Sequence, residues 1–313
     1  MGFNYNAKIW FNGKLVTYRE AEIGIGSHGL HYGTGVFEGI RCYETSRGSA
    51  IFRLKPHLER LFASAAVYDF PIGFSLEELM EGVKQVVQAN DLKTCYIRPI
   101  CFLGDETLGV HGKPKLQVAI MAWSWLNPQG TSADGVRVTV SPWQKFHHRM
   151  MPTTAKACGQ YVNSVLAVRE AASRGFDAAV LLNAEGNLAE GAVENLFLVK
   201  NGTLITNDQH SSILLGITRA SILDLAKDFN IPTEIRIMTL ADFQSADEAF
   251  FTGTAVEISP IRELDGKIIG LGKPGPITLR LRKAFREVTS GQYPSRLDWI
   301  TLITGTPVGA STH

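Results

Sequence analysis

The sequence predicts an α+β chain folded as two domains, and three observations carry that expectation. With 313 residues, 45% of them hydrophobic and 19% charged, the chain is long enough to bury more than one core. Asn12-Gly13, Asn201-Gly202 and Asp265-Gly266 each sit between apolar arms, the short-range signal of an antiparallel hairpin, whereas other stretches space their apolar residues three and four apart, as helices do. Residues 126–135 are rich in Pro, Gly and small polar side chains. They read as a linker between a smaller domain over 1–125 and a larger one over 136–313.

The first domain opens with the hairpin at residues 9–16. Gly24-Ile-Gly-Ser-His-Gly29 follows; it has dinucleotide-loop spacing but neither follows an apolar parallel strand nor opens an amphipathic helix, so it reads as a turn for close backbone approach. Residues 30–43 crowd His31, Tyr32, Phe37, Glu38 and Arg41 among three glycines. That density suggests a pocket wall, with a glycine-rich hairpin as the alternative. His28 and His31 have no third ligand nearby and read as hydrogen-bonded structural groups rather than metal ligands. Residues 56–68 form a helical pattern with Pro56 in the first turn and Leu58, Leu61, Phe62 and Ala65 on one face. Arg60 falls off that stripe. Ser75-Leu-Glu-Glu78 is a capping box that opens a second helix reaching Asn90. Strands are expected over 94–102 and 116–123, and Tyr96 and Arg98, two residues apart, project from one face. A tyrosine hydroxyl beside a guanidinium makes a carboxylate clamp; a surface cross-strand pair is the alternative.

In the second domain a strand is expected over 136–140, a helix over 160–174 with Gly175 as its stop, and a strand over 177–183 returned by Glu185-Gly186. The run 188–198 holds Glu190 and Glu194 among apolar and small residues, where a carboxylate needs a partner to offset desolvation. Gly216, Ile217 and Thr218 begin an amphipathic helix whose free N–H groups and dipole suit an anion; a plain Thr cap is the alternative. Phe251-Thr-Gly-Thr-Ala255 is a second candidate, a strand ending in small hydroxyl residues around a glycine, suited to a backbone anion nest. A helix over 276–290 is the last element.

Composition narrows the function classes. The balance of 31 Lys+Arg against 30 Asp+Glu gives no electrostatic footprint for nucleic acid or an acidic membrane. Cys42, Cys95, Cys101 and Cys158 lack zinc or disulfide-framework spacing, which fits a reducing, cytoplasmic setting. No secretory leader or membrane-spanning run is read in the sequence.

The candidate nucleophile is Lys156, flanked by Ala155, Ala157 and Gly159 just before a helical pattern. Small uncharged neighbours suit an amine held in a partly desolvated pocket, deprotonated enough to attack an aldehyde cofactor such as pyridoxal phosphate. A solvated loop lysine is the alternative. The other parts tilt the balance: two glutamates downstream, the first 34 positions on, two anion sites and the Tyr96–Arg98 pair are what pyridoxal chemistry requires.

Three stretches carry a resemblance to the branched-chain aminotransferase family of fold-type IV pyridoxal phosphate enzymes: Tyr32-Gly-Thr-Gly-Val-Phe-Glu-Gly-Ile-Arg41, Thr154-Ala-Lys-Ala-Cys-Gly-Gln-Tyr161, and Glu190-Gly-Ala-Val-Glu-Asn-Leu-Phe197 followed by Gly216-Ile-Thr-Arg219. The resemblance implies a small N-terminal α/β domain, a larger C-terminal domain with a barrel-like sheet, and pyridoxal 5′-phosphate as cofactor. By it Lys156 forms the internal aldimine, Glu190 faces the pyridine nitrogen, Tyr161 bonds the 3′-oxygen, and Arg60, Ile217, Thr218 and Thr254 bind the phosphate. Tyr96 and the Thr254-Ala255 backbone would meet the substrate α-carboxylate, Arg98 the glutamate side-chain carboxylate, and Phe37, Tyr161 and Trp123 (or Trp125) the apolar side chain. Tyr32 would reach in from a second subunit, so a homodimer or larger homo-oligomer is implied. The implied reaction is ping-pong transamination of Leu, Ile or Val with 2-oxoglutarate. D-Amino-acid and (R)-amine transaminases and aminodeoxychorismate lyase are the nearest alternatives, and the Tyr32-to-Arg41 motif argues against them. Cys158 departs from the family, which commonly has glycine there.

Overall fold

The computed structural model describes residues 4–105, 107–125 and 134–303. The described residues form two compact units, neither continuous in sequence: residues 155–159 and 287–303 group with the N-terminal part, and the second unit holds residues 134–154 and 160–286. Most of the expected linker, 126–133, lies outside the described residues.

The first unit contains β1 (Lys8–Phe11), β2 (Lys14–Thr17), α1 (His28–Tyr32), β3 (Gly35–Phe37), β4 (Ile40–Thr45), β5 (Gly48–Phe52), α2 (Leu54–Ala66), α3 (Leu76–Ala89), β6 (Cys95–Leu103) and β7 (Leu116–Ser124). Its sheet runs from a late strand, Ile300–Leu302, through β5, β4, β6, β7 and β1 to β2, with β3 also paired to β6. The first hairpin is as tight as Asn12-Gly13 demands: Phe11 pairs with Lys14, and both turn residues have positive φ, 48° and 90°, as a type I′ turn requires. α1 occupies residues expected as a turn up to Gly29 and as a pocket wall from Leu30 on. It is a single turn closed by Gly33 at φ 65°, too short to leave a periodic signal.

Leu54, Leu58, Leu61 and Ala65 of α2 and Leu79, Val83, Val86 and Val87 of α3 pack on Ile40, Cys42, Ile51, Cys95, Ile97, Cys101, Val118 and Ile120. Alternation along β6 then fixes the site: Cys95, Ile97 and Cys101 face the helices, so Tyr96 and Arg98 project from the opposite face. α2 begins two residues before Pro56, which still falls within its first turn. The capping box on α3 is complete, Ser75 Oγ accepting from Glu78 N–H at 3.2 Å and Glu78 Oε2 accepting from Ser75 N–H at 2.7 Å.

The second unit contains β8 (Val136–Val140), α4 (Tyr161–Ser173), β9 (Ala178–Leu182), β10 (Leu188–Gly191), β11 (Asn195–Lys200), β12 (Thr203–Thr206), α5 (Ile217–Asp228), β13 (Thr233–Ile235), α6 (Leu240–Gln244), β14 (Glu248–Gly253), β15 (Glu257–Leu264) and β16 (Lys267–Ile268). α7 (Pro276–Thr289) spans the boundary at residue 286. The sheet order is β10-β9-β8-β15-β14-β11-β12-β13, with β16 on β15. A bridge between Leu188 and Met238 joins the β10 end to chain just past β13, with Leu188 N–H donating to Met238 O at 2.9 Å. The sheet is therefore curled into the barrel-like form that the resemblance implied. Val136, Val138, Val180, Leu188, Leu196 and Phe251 belong to its core. Among the described residues no helix is long and apolar enough to cross a membrane.

Because one hydroxyl satisfies an N–H of the first turn of α3, Ser75→Ala is expected to destabilise that helix by about 1 kcal/mol. Hydrogen exchange should report it as about 5-fold faster exchange at the Leu76–Leu79 amides, with α5 unchanged.

Candidate active site

Lys156 is seated by its own backbone in the first unit. Val36 of β3 bridges to Ala157, Phe37 N–H donates to Lys156 O at 3.0 Å and Gly159 N–H to Gly33 O at 3.1 Å, and Lys156 N–H donates to Ser64 Oγ of α2 at 3.0 Å. The segment thus runs as a short extra strand beside β3, tied to a helix on its other side. Its amine sits 5.0 Å from the centre of the Phe37 ring. Burial, and then the positive charge of Arg60, bring the amine down to about 8; Glu38 and Tyr96 oppose the shift and Arg98 reinforces it. This is the desolvated amine expected from the sequence, not a solvated loop lysine.

Glu38 is the hidden support of this seat. It is fully buried and takes the Nε–Nη2 edge of Arg60 at 2.7 and 2.9 Å and His57 Nδ1 at 2.7 Å. Burial works to raise its carboxyl, but Arg60 and His57 outweigh burial and hold it well below the usual range. Burial in turn pushes His57 down. Arg60 lies off the apolar stripe of α2, as expected, because its partner is a carboxylate.

On the face of β6 turned away from the helices, Arg98 Nη2 donates to Tyr96 Oη at 3.5 Å, and the Arg98 guanidinium stands 4.5 Å from the Phe37 ring centre. Two cations therefore share the Phe37 ring. Tyr96 stacks on Trp123 at 5.0 Å and lies against Trp125 at 5.3 Å, so both tryptophans considered from sequence wall the same tyrosine. Gly39 is required beside it: a Cβ there would lie 1.9 Å from Tyr96 Oη. Tyr32 stands apart from this group; it is 46% exposed and its ring packs on His28 and His31. His28 and His31 are hydrogen-bonded, to Thr34 and Gly109 O and to Ile25 O. Cys158 Sγ would lie 3.1 Å from a Cβ on Gly35, so this cysteine fills space that a glycine at 35 leaves open.

In the second unit, Glu190 collects donors from three directions. Lys145 Nζ lies 2.7 Å from Oε1, Asn195 Nδ2 donates to Oε2 at 2.9 Å, and Leu214 N–H reaches both oxygens at 3.3 and 3.2 Å. Asn195 also donates to Leu214 O. It ties together three expected pieces: it pairs with Thr252 across β11 and β14, just ahead of the Gly253-Thr254-Ala255 turn, and a Cβ on Gly216 would lie 2.0 Å from its Oδ1. Gly216 is the N-cap of α5 and makes no side-chain cap, so Thr218 is an interior first-turn residue, 3% exposed. The plain Thr-cap alternative is overturned, and the amides of that turn remain donors for an anion. Thr254 and Ala255 are half-buried in the turn after β14, and Tyr161, also half-buried, is the first residue of α4. Glu194 is pushed up to about 7, chiefly by burial, with Glu190 adding to it.

These residues suit pyridoxal phosphate. Glu190 is a buried carboxylate of the kind a ring N–H would meet, and α5 offers amides for a phosphate. Among the described residues no group of three or more His, Cys, Asp or Glu is placed to hold a metal ion. Sequence reasoning missed Ser64, His57, Lys145 and Asn195. No local pattern distinguishes them; only pairing across distant segments does. The role of Glu38 was half visible, as a charged residue in a glycine-rich run.

Lys156 gives a stability prediction. Its folded value, about 8, lies below the ordinary 10.5, so between those limits the unfolded chain binds more protons and stability rises with pH. Cofactor-free Lys156→Met should be more stable than wild type below about pH 8, with the advantage shrinking as pH rises towards 10.5. Urea midpoints across that range check it; an advantage independent of pH would remove ammonium burial as its cause.

The family model for amino-transferase class IV matches residues 35–264. The branched-chain-amino-acid aminotransferase of Pseudomonas aeruginosa is 43% identical over 94% of this chain and 97% of its own, and that of Escherichia coli K12 is 41% identical over 93% and 96%. A T.th. branched-chain amino acid aminotransferase complexed with N-(5′-phosphopyridoxyl)-L-glutamate superposes with a TM-score of 0.91 at 43% identity, covering 96% of this chain and 99% of that one. The Escherichia coli crystal structure gives 0.93 at 40% identity, covering 96% and 100%. With the match spanning most of its length, the chain belongs to the class IV amino-transferase family.

Proposed function

We propose that this enzyme transfers the amino group of branched-chain L-amino acids (Leu, Ile, Val) to 2-oxoglutarate, in ping-pong order, using pyridoxal 5′-phosphate. The observation that carries the reading is Lys156, whose amine, at about 8, is available as a nucleophile near neutral pH. The names of the similar proteins support the substrate, and the phosphopyridoxyl-glutamate adduct in the T.th. structure supports glutamate as one amino donor.

When bound, the cofactor supplies an electron sink for the Cα carbanion. The chain does the rest. Lys156 would hold the aldehyde end of the cofactor, and its amine would be the base that carries the proton away from Cα. Glu190 holds the pyridine nitrogen protonated and Tyr161 bonds the 3′-oxygen. Ile217, Thr218 and Thr254 take the phosphate with Arg60, whose guanidinium Glu38 orients along its Nε–Nη2 edge. Tyr96 and the Thr254-Ala255 backbone receive the α-carboxylate. Phe37, Tyr161 and Trp123 enclose the aliphatic side chain, and Arg98 takes the second carboxylate of glutamate. Tyr32 joins from the neighbouring subunit of a homo-oligomer; its exposure supports that role.

Holoenzyme mixed with L-leucine, D-alanine and (R)-1-phenylethylamine tests the reading: L-leucine alone should convert the cofactor to its aminated form. Borohydride reduction should label Lys156; a label on any other lysine would overturn the assignment.

Arg98 carries a second prediction. Losing a hydrogen bond to a charged group costs about 1.5–3 kcal/mol, about 10- to 100-fold. Arg98→Leu should slow the glutamate and 2-oxoglutarate half-reactions by that factor in single-turnover measurements and leave leucine much less affected. Equal losses would move Arg98 to the α-carboxylate or to the fold.

A further inference from the structure

A buried carboxylate, Glu190, and a half-buried one, Glu194, stand close in the second unit, and among the described residues only Glu190 is matched by a cation. Glu190 and Glu194 flank the tight connection between β10 and β11, where Gly191 N–H donates to Glu194 O at 2.7 Å. Lys145 Nζ lies 2.7 Å from Glu190 Oε1, the two side chains 13% and 6% exposed. Lys145 comes from the segment after β8, and Lys145 N–H donates to Leu182 O at 2.8 Å, so its backbone is tied to the end of β9. Among the described residues Glu194 has no ion pair; Val193 N–H donates to its Oε2 at 3.1 Å. The remaining charged group acting on Glu190 is Arg219 of α5, which also feels Asp208 and spends its donors on Thr206 Oγ1 and Asn207 O.

We propose that Lys145 is a positioning residue: its ammonium is the countercharge that makes Glu190, rather than Glu194, the anionic member of the pair, and it fixes the orientation of the carboxylate that would meet the ring nitrogen. Its consequence for the ring rests on the reading of Glu190 given above; the assignment of charge within the pair does not. Glu194 is the carboxyl that gives way, which agrees with its being raised by burial and by Glu190. An arginine would supply the same charge, and a glutamine of similar reach would not.

The test uses Lys145→Gln and Lys145→Arg, with circular dichroism confirming that each folds. In the cofactor-free protein, infrared titration should show one buried carboxyl protonating near pH 7, lost in Glu194→Gln and retained in Glu190→Gln. In Lys145→Gln the titration should change through a carboxyl that is lost when Glu190→Gln is added, and Lys145→Arg should restore the wild-type titration. Fluorescence titration with pyridoxal phosphate should show affinity about 10-fold weaker in Lys145→Gln and recovered in Lys145→Arg. An unchanged infrared titration in Lys145→Gln overturns the proposal. A shifted titration with unchanged cofactor affinity upholds the charge assignment and overturns Glu190 as the partner of the ring nitrogen.

Discussion

Burying a lysine amine is unfavourable unless its charge is compensated or given up, and much of the first unit is arranged around that constraint at Lys156. A buried amine on a mobile loop would reach water and recover its ammonium form. Here the backbone on both sides is tied, to β3 through Phe37 and Val36 and to α2 through Ser64, so the half-buried side chain is held in place. The neighbouring charges are balanced rather than neutralising. Glu38 would favour the ammonium, but Arg60 and His57 already claim its oxygens. Burial and Arg60 together outweigh the pull of Glu38 on the amine.

The second unit places a buried carboxyl, Glu190, beside a lysine. One residue, Asn195, links the elements involved. It donates to Glu190, pairs with Thr252 and stands where only a glycine allows α5 to start. A change at Asn195 is therefore felt at the carboxylate, the strand turn and the helix terminus together, and its effects should not separate into independent contributions.

The fold was legible where local rules operate. The Asn-Gly and Asp-Gly turns, the Ser75-Glu78 box and the stripe of Leu58, Leu61 and Ala65 are short-range signals, and each holds in the structure. The site was legible where residue type is chemically unusual, as with Lys156 among alanines, or where a family pattern supplied it. What stayed illegible is set by pairing at long range. Nothing near Ser64, His57, Lys145 or Asn195 marks a partner many residues away, and the one-turn helix α1 is too short for periodicity to show.

The late strand Ile300–Leu302 pairs with β5, Ile300 opposite Phe52. On a ribosome the chain emerges N-terminus first, so the edge of β5 waits for its neighbour until nearly all of the described sequence has been made. During that interval the nascent chain carries an unpaired, largely apolar edge, Ala50, Ile51 and Phe52, of the kind that recruits strands from other chains. Pairing with Ile300–Leu302 covers that edge only late in synthesis.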